Sequence, residues 1–158
     1  MKEKIKNKIK HISIDDIVTM LPHKPPATMV DSVEKLEPGA RIVARKNVSI
    51  SDPCFLGHFP GHPSMPVSAM LEIMIQTSCL LAMYTENYAP ASKVVAVVGL
   101  SDAKFKRMIR PGESLRITSA IGKRNSNNWR FHSEVYVEDL IVAEALLSLS
   151  LVDREDTL

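Results

Sequence analysis

Hydrophobic and polar positions divide the chain into rods, ribbons and turns. Between Val67 and about Glu86 there is no proline or glycine, and Met, Leu, Ile and Ala dominate. Apolar side chains fall nearly all the way round this stretch. That predicts a helix buried on every side rather than one laid on a surface. Residues 51–66, just ahead of it, are rich in Pro, Gly and His and read as a loop. Nearer the N-terminus, SIDDIVTML opens on Ser13 with Asp16 three residues on, a capping-box spacing for a short helix that stops at Pro22. ATMVDSVEKLE and RIVARKNVSI read as two strands joined by the turn EPGA, with Ile42, Ala44, Val48 and Ile50 as the apolar set of the second.

Four β-like runs follow the long helix: SKVVAVVGLSDAKF, ESLRITSAIGKR, WRFHSEVYV and LIVAEALLSLSLV. The turns between them are RPGE, NSNN and ED. Leu115, Ile117 and Ile121 alternate with Arg116 and Thr118. Trp129, Phe131, Val135 and Val137 alternate with Arg130, His132, Glu134 and Tyr136, the pattern of half-buried strands. Strands joined by short turns pair antiparallel, and one all-apolar helix needs a sheet to cover it. A curved sheet wrapped round a central helix satisfies both. No internal repeat or linker interrupts the pattern, which predicts one domain over 13–152, a basic arm over 1–12 and a frayed tail over 153–158.

Composition narrows the function. With 158 residues, 45% hydrophobic and 24% charged, the chain can bury a core. A formal net charge of +2 is too small to argue for nucleic acid. Cys54 and Cys79 stand apart with no framework spacing, which suits a reducing compartment. The start, MKEKIKNKIKHI, has lysine at every even position from Lys2 to Lys10 and lacks the apolar stretch of a signal peptide. The longest apolar segment carries Glu72 and Gln76, so no membrane span is expected and the location is read as cytoplasmic.

The chemistry starts at Glu72. Ser68, Glu72 and Gln76 are spaced at i, i+4 and i+8 and share one helix face, a polar stripe on an apolar rod. Glu72 as a structural anchor would have to offset the cost of burying a carboxylate. As a catalytic group it would use that cost, because desolvation keeps a carboxyl protonated and able to donate. His58 and His62 have metal-like spacing, but Pro60 and Gly61 break any helix between them and no third ligand is present, so no metal is expected. A neutral imidazole as base suits a nearby acid better. Pro66 places a helix N-terminus near Val67 and Ser68, where free N–H groups can polarise a carbonyl oxygen. Base, acid and oxyanion donor together are what a β-elimination beside a carbonyl requires.

At these residues the chain resembles a known family. LPHKPP, GHFPGHPSMP, the glutamate fourteen residues after His58, KFKRMIRPGE and VAEA are similar to the FabZ-type 3-hydroxyacyl-[acyl-carrier-protein] dehydratases of fatty acid biosynthesis. The resemblance runs from about Ile14 to Leu151. It implies an α+β hotdog fold, a curved antiparallel sheet wrapped round a long helix. It also implies a homodimer with sites at the subunit interface, often gathered into a trimer of dimers. By position, His58 matches the catalytic histidine and Glu72 the catalytic carboxylate, which in the family comes from the neighbouring subunit. Gln76 matches a supporting residue behind the acid, and the Val67 backbone N–H matches the donor to the thioester carbonyl. Met65, Ser68, Ala69 and Phe59 fall at the substrate tunnel, with Met70, Met74 and Met83 as further candidates for its lining.

Two departures affect the acyl pocket rather than the reaction. Val67 replaces the family glycine, and Pro25 and Ala27 stand where aromatic residues are common. Lys104, Lys106, Arg107 and Arg110 form a basic cluster that would speed docking of acidic acyl carrier protein. The substrate rides on the carrier's phosphopantetheine arm, so no metal or redox cofactor is expected. A hotdog thioesterase would release free acid instead of an enoyl product, and a non-catalytic carrier-binding protein would hold the chain unchanged. His62 is expected to bond loop backbone, and His11, His23 and His132 are read as ordinary residues.

Overall fold

The computed structural model describes residues 11–87 and 93–153. The long apolar run becomes helix α2 over Val67–Glu86, as its composition predicts. It ends at Asn87, which takes the left-handed conformation (φ 54°) and donates its N–H to the Met83 carbonyl. Asparagine tolerates that region better than most residues, which explains the stop without a glycine. A second helix, α1 over Ile14–Met20, precedes two strands, β1 over Ser32–Glu37 and β2 over Arg41–Asn47. Four more strands follow α2: β3 over Lys93–Phe105, β4 over Ser114–Asn125, β5 over Asn128–Val137 and β6 over Leu140–Asp153.

All six strands form one antiparallel sheet in the order β1-β2-β4-β5-β6-β3. β2 pairs with β4 across the helix insertion, and β3 lies beyond β6 at the far edge. The inner face supplies Ile42, Ala44, Leu115, Ile117, Trp129, Phe131, Val135, Leu147 and Leu149, all buried. They pack on Ile73, Met74, Leu80 and Leu81 of α2, each with 0% exposure. This is the α+β hotdog arrangement. The core also takes Met65, Met70, Met74 and Met83.

Several local expectations need correction. Ser13 occupies the N-cap position of α1, but its hydroxyl bonds the Asp16 carboxylate at 3.0 Å rather than a backbone N–H. Residues 27–31 lie outside β1, and Ile50 is 62% exposed beyond the end of β2. The inward position after Ala44 is instead Lys46, a buried cation held by Asp52 at 3.2 Å and Asp31 at 3.9 Å. Ser78, Ser119 and Ser133 also point inward, each with 0% exposure. Ser78 donates to the Met74 carbonyl at 2.8 Å, so Ser119 must donate into Ser78 across their 2.7 Å contact.

α2 is long and apolar enough to cross a membrane, with a mean hydropathy of 1.4 over its best window, contrary to the reading that no segment is. Its place inside the sheet identifies it as the core helix. Ile12, at the edge of the expected arm, is buried and bridged to Val33. Residues 1–10 of that arm and 154–158 of the tail lie outside the described residues.

Candidate active site

The stripe on α2 descends from solvent into the core. Ser68 is exposed, the Glu72 side chain is 36% exposed, and Gln76 is fully buried. Gln76 uses every polar atom it has. Its Nε2 donates to the Ala27 carbonyl at 2.8 Å and to Glu72 Oε1 at 2.7 Å, while its Oε1 accepts from the Met29 N–H at 2.9 Å. A buried amide satisfied three ways has one allowed orientation, so it fixes Glu72 from behind and ties α2 to the 27–29 segment. Glu72 Oε2 has no hydrogen-bond partner among the described residues.

Glu72 is therefore not sealed in the core of one chain, as the run around it suggested. It opens on a cleft of about 380 Å³ lined by Pro26, Thr28, Lys46, Cys54, Ser68 and Ala69 among others. The same cleft reaches Pro66, the residue that caps the helix N-terminus with its own carbonyl. Ala69 and Met70 donate to that carbonyl, at 3.0 and 3.2 Å. The N–H groups of Val67 and Ser68 have no partner among the described residues, and no side chain caps the helix. The expected donor end is present, with Pro66 just outside the first turn rather than in it. The Val67 side chain is 51% exposed.

His58 lies elsewhere. The loop that carries it is closed by short backbone bonds, His62 N to Phe59 O at 3.0 Å and Ser64 N to His58 O at 3.1 Å. The Ser64 carbonyl can only accept, so His58 Nδ1, 2.8 Å away, must be the protonated nitrogen. Nε2 is left with its lone pair free, the state a general base needs. Phe59 stacks on the imidazole, with ring centroids 4.0 Å apart, and is 54% exposed. His62 bonds loop backbone through its own backbone groups; its ring is exposed and has no partner among the described residues. No hydrogen bond or ion pair joins His58 to Glu72 in one chain among the described residues, and His58 does not line the Glu72 cleft. Met65 packs into the core, whereas Ser68 and Ala69 face the cleft.

Three residues near Glu72 were not singled out from sequence. His23 places Nε2 3.4 Å from Glu72 Oε1. Lys46 and Cys54 line the cleft, and burial followed by the Asp52 charge pushes the Cys54 thiol up. The signal for His23 was its place in LPHKPP, between prolines that hold a short rigid segment. Cys79, on the same helix, is a fully buried thiol pushed up to about 12 by burial and then by the Glu72 charge. It is packing, not a nucleophile.

The basic cluster is largely neutralised within the chain. Lys104 and Lys106 flank Glu144 at 3.3 and 3.4 Å, and Arg107 grips Glu113 with two hydrogen bonds of 2.7 and 3.2 Å. The Arg110 side chain is exposed and makes no ion pair among the described residues. Glu144 also forms a group with His132 and Glu134 whose ligating atoms lie within 4.8 Å of one another. Its two lysines already supply the positive charge that a metal ion would bring there.

A profile of the FabA-like domain matches residues 21–146. The chain is 38% identical to a 3-hydroxyacyl-[acyl-carrier-protein] dehydratase FabZ of Thiobacillus denitrificans, over 90% of this chain and 99% of that one. It is 40% identical to the enzyme of that name from Campylobacter concisus, again over 90% and 99%. The fold matches the dehydratase heterocomplex ApeI:P of Xenorhabdus doucetiae with a TM-score of 0.77, at 14% identity over 89% of this chain and 93% of that one. The family model spans most of the chain and relatives 38–40% identical cover nine-tenths of it, so the chain belongs to the FabA-like family, among the FabZ-type 3-hydroxyacyl-[acyl-carrier-protein] dehydratases.

Proposed function

We propose that this protein removes water from a 3-hydroxyacyl thioester on acyl carrier protein to give the trans-2-enoyl thioester, the reaction for which its relatives are named. The observation that carries the reading is the Glu72 carboxyl, held by Gln76 on one oxygen and left open to the cleft on the other. His58 Nε2 takes the α proton. Electron density moves toward the thioester carbonyl, where the unpartnered N–H at the start of α2, that of Val67, steadies the developing charge. Glu72 gives a proton to the β hydroxyl, which leaves as water as the double bond forms. A proton passed from His58 back to Glu72 resets the pair, so the elimination needs no metal or redox cofactor.

His58 and Glu72 of one chain do not meet, so the working site takes one from each of two copies. β3 supports that arrangement. It is one of the two outer strands of the sheet, with one edge unpaired among the described residues and Val97, Val98 and Leu100 exposed on it. A second β3 pairing along it would continue the sheet and cover these side chains. Acyl carrier protein is the acidic partner. Arg110 is the cation of the basic cluster that the fold leaves free for it, while Lys104, Lys106 and Arg107 are shared with Glu144 and Glu113.

The test mixes purified protein with a 3-hydroxyacyl carrier-protein substrate and follows the enoyl product by mass spectrometry and ultraviolet absorbance. Enoyl formation lost in both His58→Ala and Glu72→Gln supports the reading. Free acid as the product would replace it with thioester hydrolysis, and intact substrate that binds without turnover would make the protein a carrier-binding module.

A further inference from the structure

His23 enters the structure in the segment between α1 and β1, far from α2 in sequence and beside it in space. Its Nε2 faces Glu72 Oε1 at 3.4 Å, the same oxygen that receives the Gln76 amide. The other ring nitrogen, Nδ1, is buried and has no hydrogen-bond partner among the described residues. Burying an imidazole nitrogen without a partner costs free energy, and a chain with no use for the ring could keep a smaller or apolar residue there. The segment carrying it is restrained on both sides. Lys24 Nζ bonds the Val18 carbonyl of α1, and the Ala27 carbonyl and Met29 N–H are held by Gln76. The ring is thus presented to Glu72 from a fixed backbone.

We infer that His23 is a positioning residue for Glu72, acting on Oε1 together with Gln76 so that Oε2 alone is offered to the substrate. The 3.4 Å contact is an ion-pair distance rather than a closed hydrogen bond, and Oε1 already accepts from Gln76, so Nε2 acts on it as the protonated nitrogen. Gln76 restrains Oε1 from the core side and His23 from the 20s segment. Two restraints on one oxygen fix the rotation of the carboxyl plane, which a single hydrogen bond does not. The dihedral freedom that remains with Gln76 alone would spread Oε2 over several directions, and proton transfer is sensitive to such misplacement. His23 is absent from the residues that line the cleft, so it acts through Glu72 rather than on the acyl chain.

This inference rests on the dehydratase reading for its kinetic test and not for its spectroscopic one. His23→Ala is expected to lower kcat by between about ten- and a hundredfold while KM stays within about twofold, since the group restrains the acid and not the substrate. His23→Gln, which keeps an N–H donor on a chain of suitable length, is expected to recover most of that loss. In a Glu72→Gln background the His23→Ala change should cost nothing further, because the group it restrains no longer donates. The same variants, with Glu72→Leu, are followed by nitrogen-15 spectra of the histidine rings. His23 in the unaltered protein should show the Nε2-protonated tautomer and should lose that preference in Glu72→Leu, which removes the acceptor oxygen. Three outcomes would overturn the inference: a raised KM with kcat intact, no recovery by glutamine in a protein that folds, or a His23 ring indifferent to Glu72→Leu. If the unaltered protein proves inactive, the dehydratase reading fails, and the ring spectra alone still decide whether His23 holds Glu72.

Discussion

Two glutamates in this protein are held in opposite ways. Glu113, in the turn before β4, receives both Arg107 Nη atoms and the Arg110 N–H, so each of its oxygens is committed. Glu72, on α2, receives a neutral amide on one oxygen, with His23 3.4 Å from the same atom, and nothing on the other among the described residues. Burial pushes the Glu113 carboxyl up, but the Arg107 guanidinium and the Arg110 N–H outweigh it and hold the group below the ordinary carboxylate range. A carboxylate locked to a guanidinium closes a turn. One oriented by an amide, with an oxygen left over, is available for chemistry. The number and charge of the donors separate the two roles better than burial does, since Glu113 is the less exposed of the pair, at 24% against 36%.

The contrast can be broken most easily at its extremes. Glu72→Gln should cost on the order of 10²–10⁴-fold in turnover, as loss of a positioned general acid does. Glu113→Gln should leave kcat within about twofold, because it touches no reacting group. Equal losses in the two variants would erase the distinction. Gln76→Leu comes next. It strands the Met29 N–H and the Ala27 carbonyl, and should cost about 1–3 kcal/mol of stability together with a fall in kcat.

Arg107→Ala tests the other side at smaller scale, with a loss of about 1 kcal/mol, or roughly 2–4 °C in Tm. The pH dependence has a definite sign. Because the folded Glu113 carboxyl lies below 4.5, its contribution is complete above that value and disappears as pH falls through the lower folded one. Thermal melts of the unaltered protein should therefore drop more steeply below pH 4.5 than those of Arg107→Ala. Parallel melts would show that the pair does not couple to folding. Arg110→Glu should raise KM severalfold for a carrier-bound substrate and leave a small thioester analogue unaffected. Arg107 is the poorer choice for that test, since reversing it would set two negative charges together at Glu113. The smallest effect is expected from Val67→Gly. At an exposed first-turn position it should change stability by less than about 1 kcal/mol and register in the range of acyl chains accepted.

Much of this architecture was legible because it is local. The Val67–Glu86 helix follows from an unbroken apolar run, and the β4–β5 and β5–β6 hairpins follow from NSNN and ED between alternating segments, whereas RPGE joins β3 to β4, which do not pair. The stripe of Ser68, Glu72 and Gln76 follows from helical spacing alone. The placement of β3 beyond β6 could not be read this way, because antiparallel pairing with either neighbour satisfies the same pattern. Partners were the other gap. The sequence carries the charges of Lys104, Lys106 and Arg107, but not the register that sets Lys104 opposite Glu144 or the turn that brings Glu113 to Arg107. His23 was missed for the same reason, since its contact with Glu72 exists only once the 20s segment is laid against α2. Ser13 shows the converse: its capping-box spacing is correct, yet its hydroxyl bonds the Asp16 side chain instead.

The account turns on a site shared between copies, with His58 from one and Glu72 from the other. Mixing two inactive variants, His58→Ala and Glu72→Gln, tests that most directly. Random pairing at equal amounts makes half the dimers mixed, each with one intact site, so turnover should return to about a quarter of the unaltered value. Mixtures that remain as inactive as their parents, with subunit exchange verified by mass spectrometry, would contradict the shared site and return both residues to a single chain.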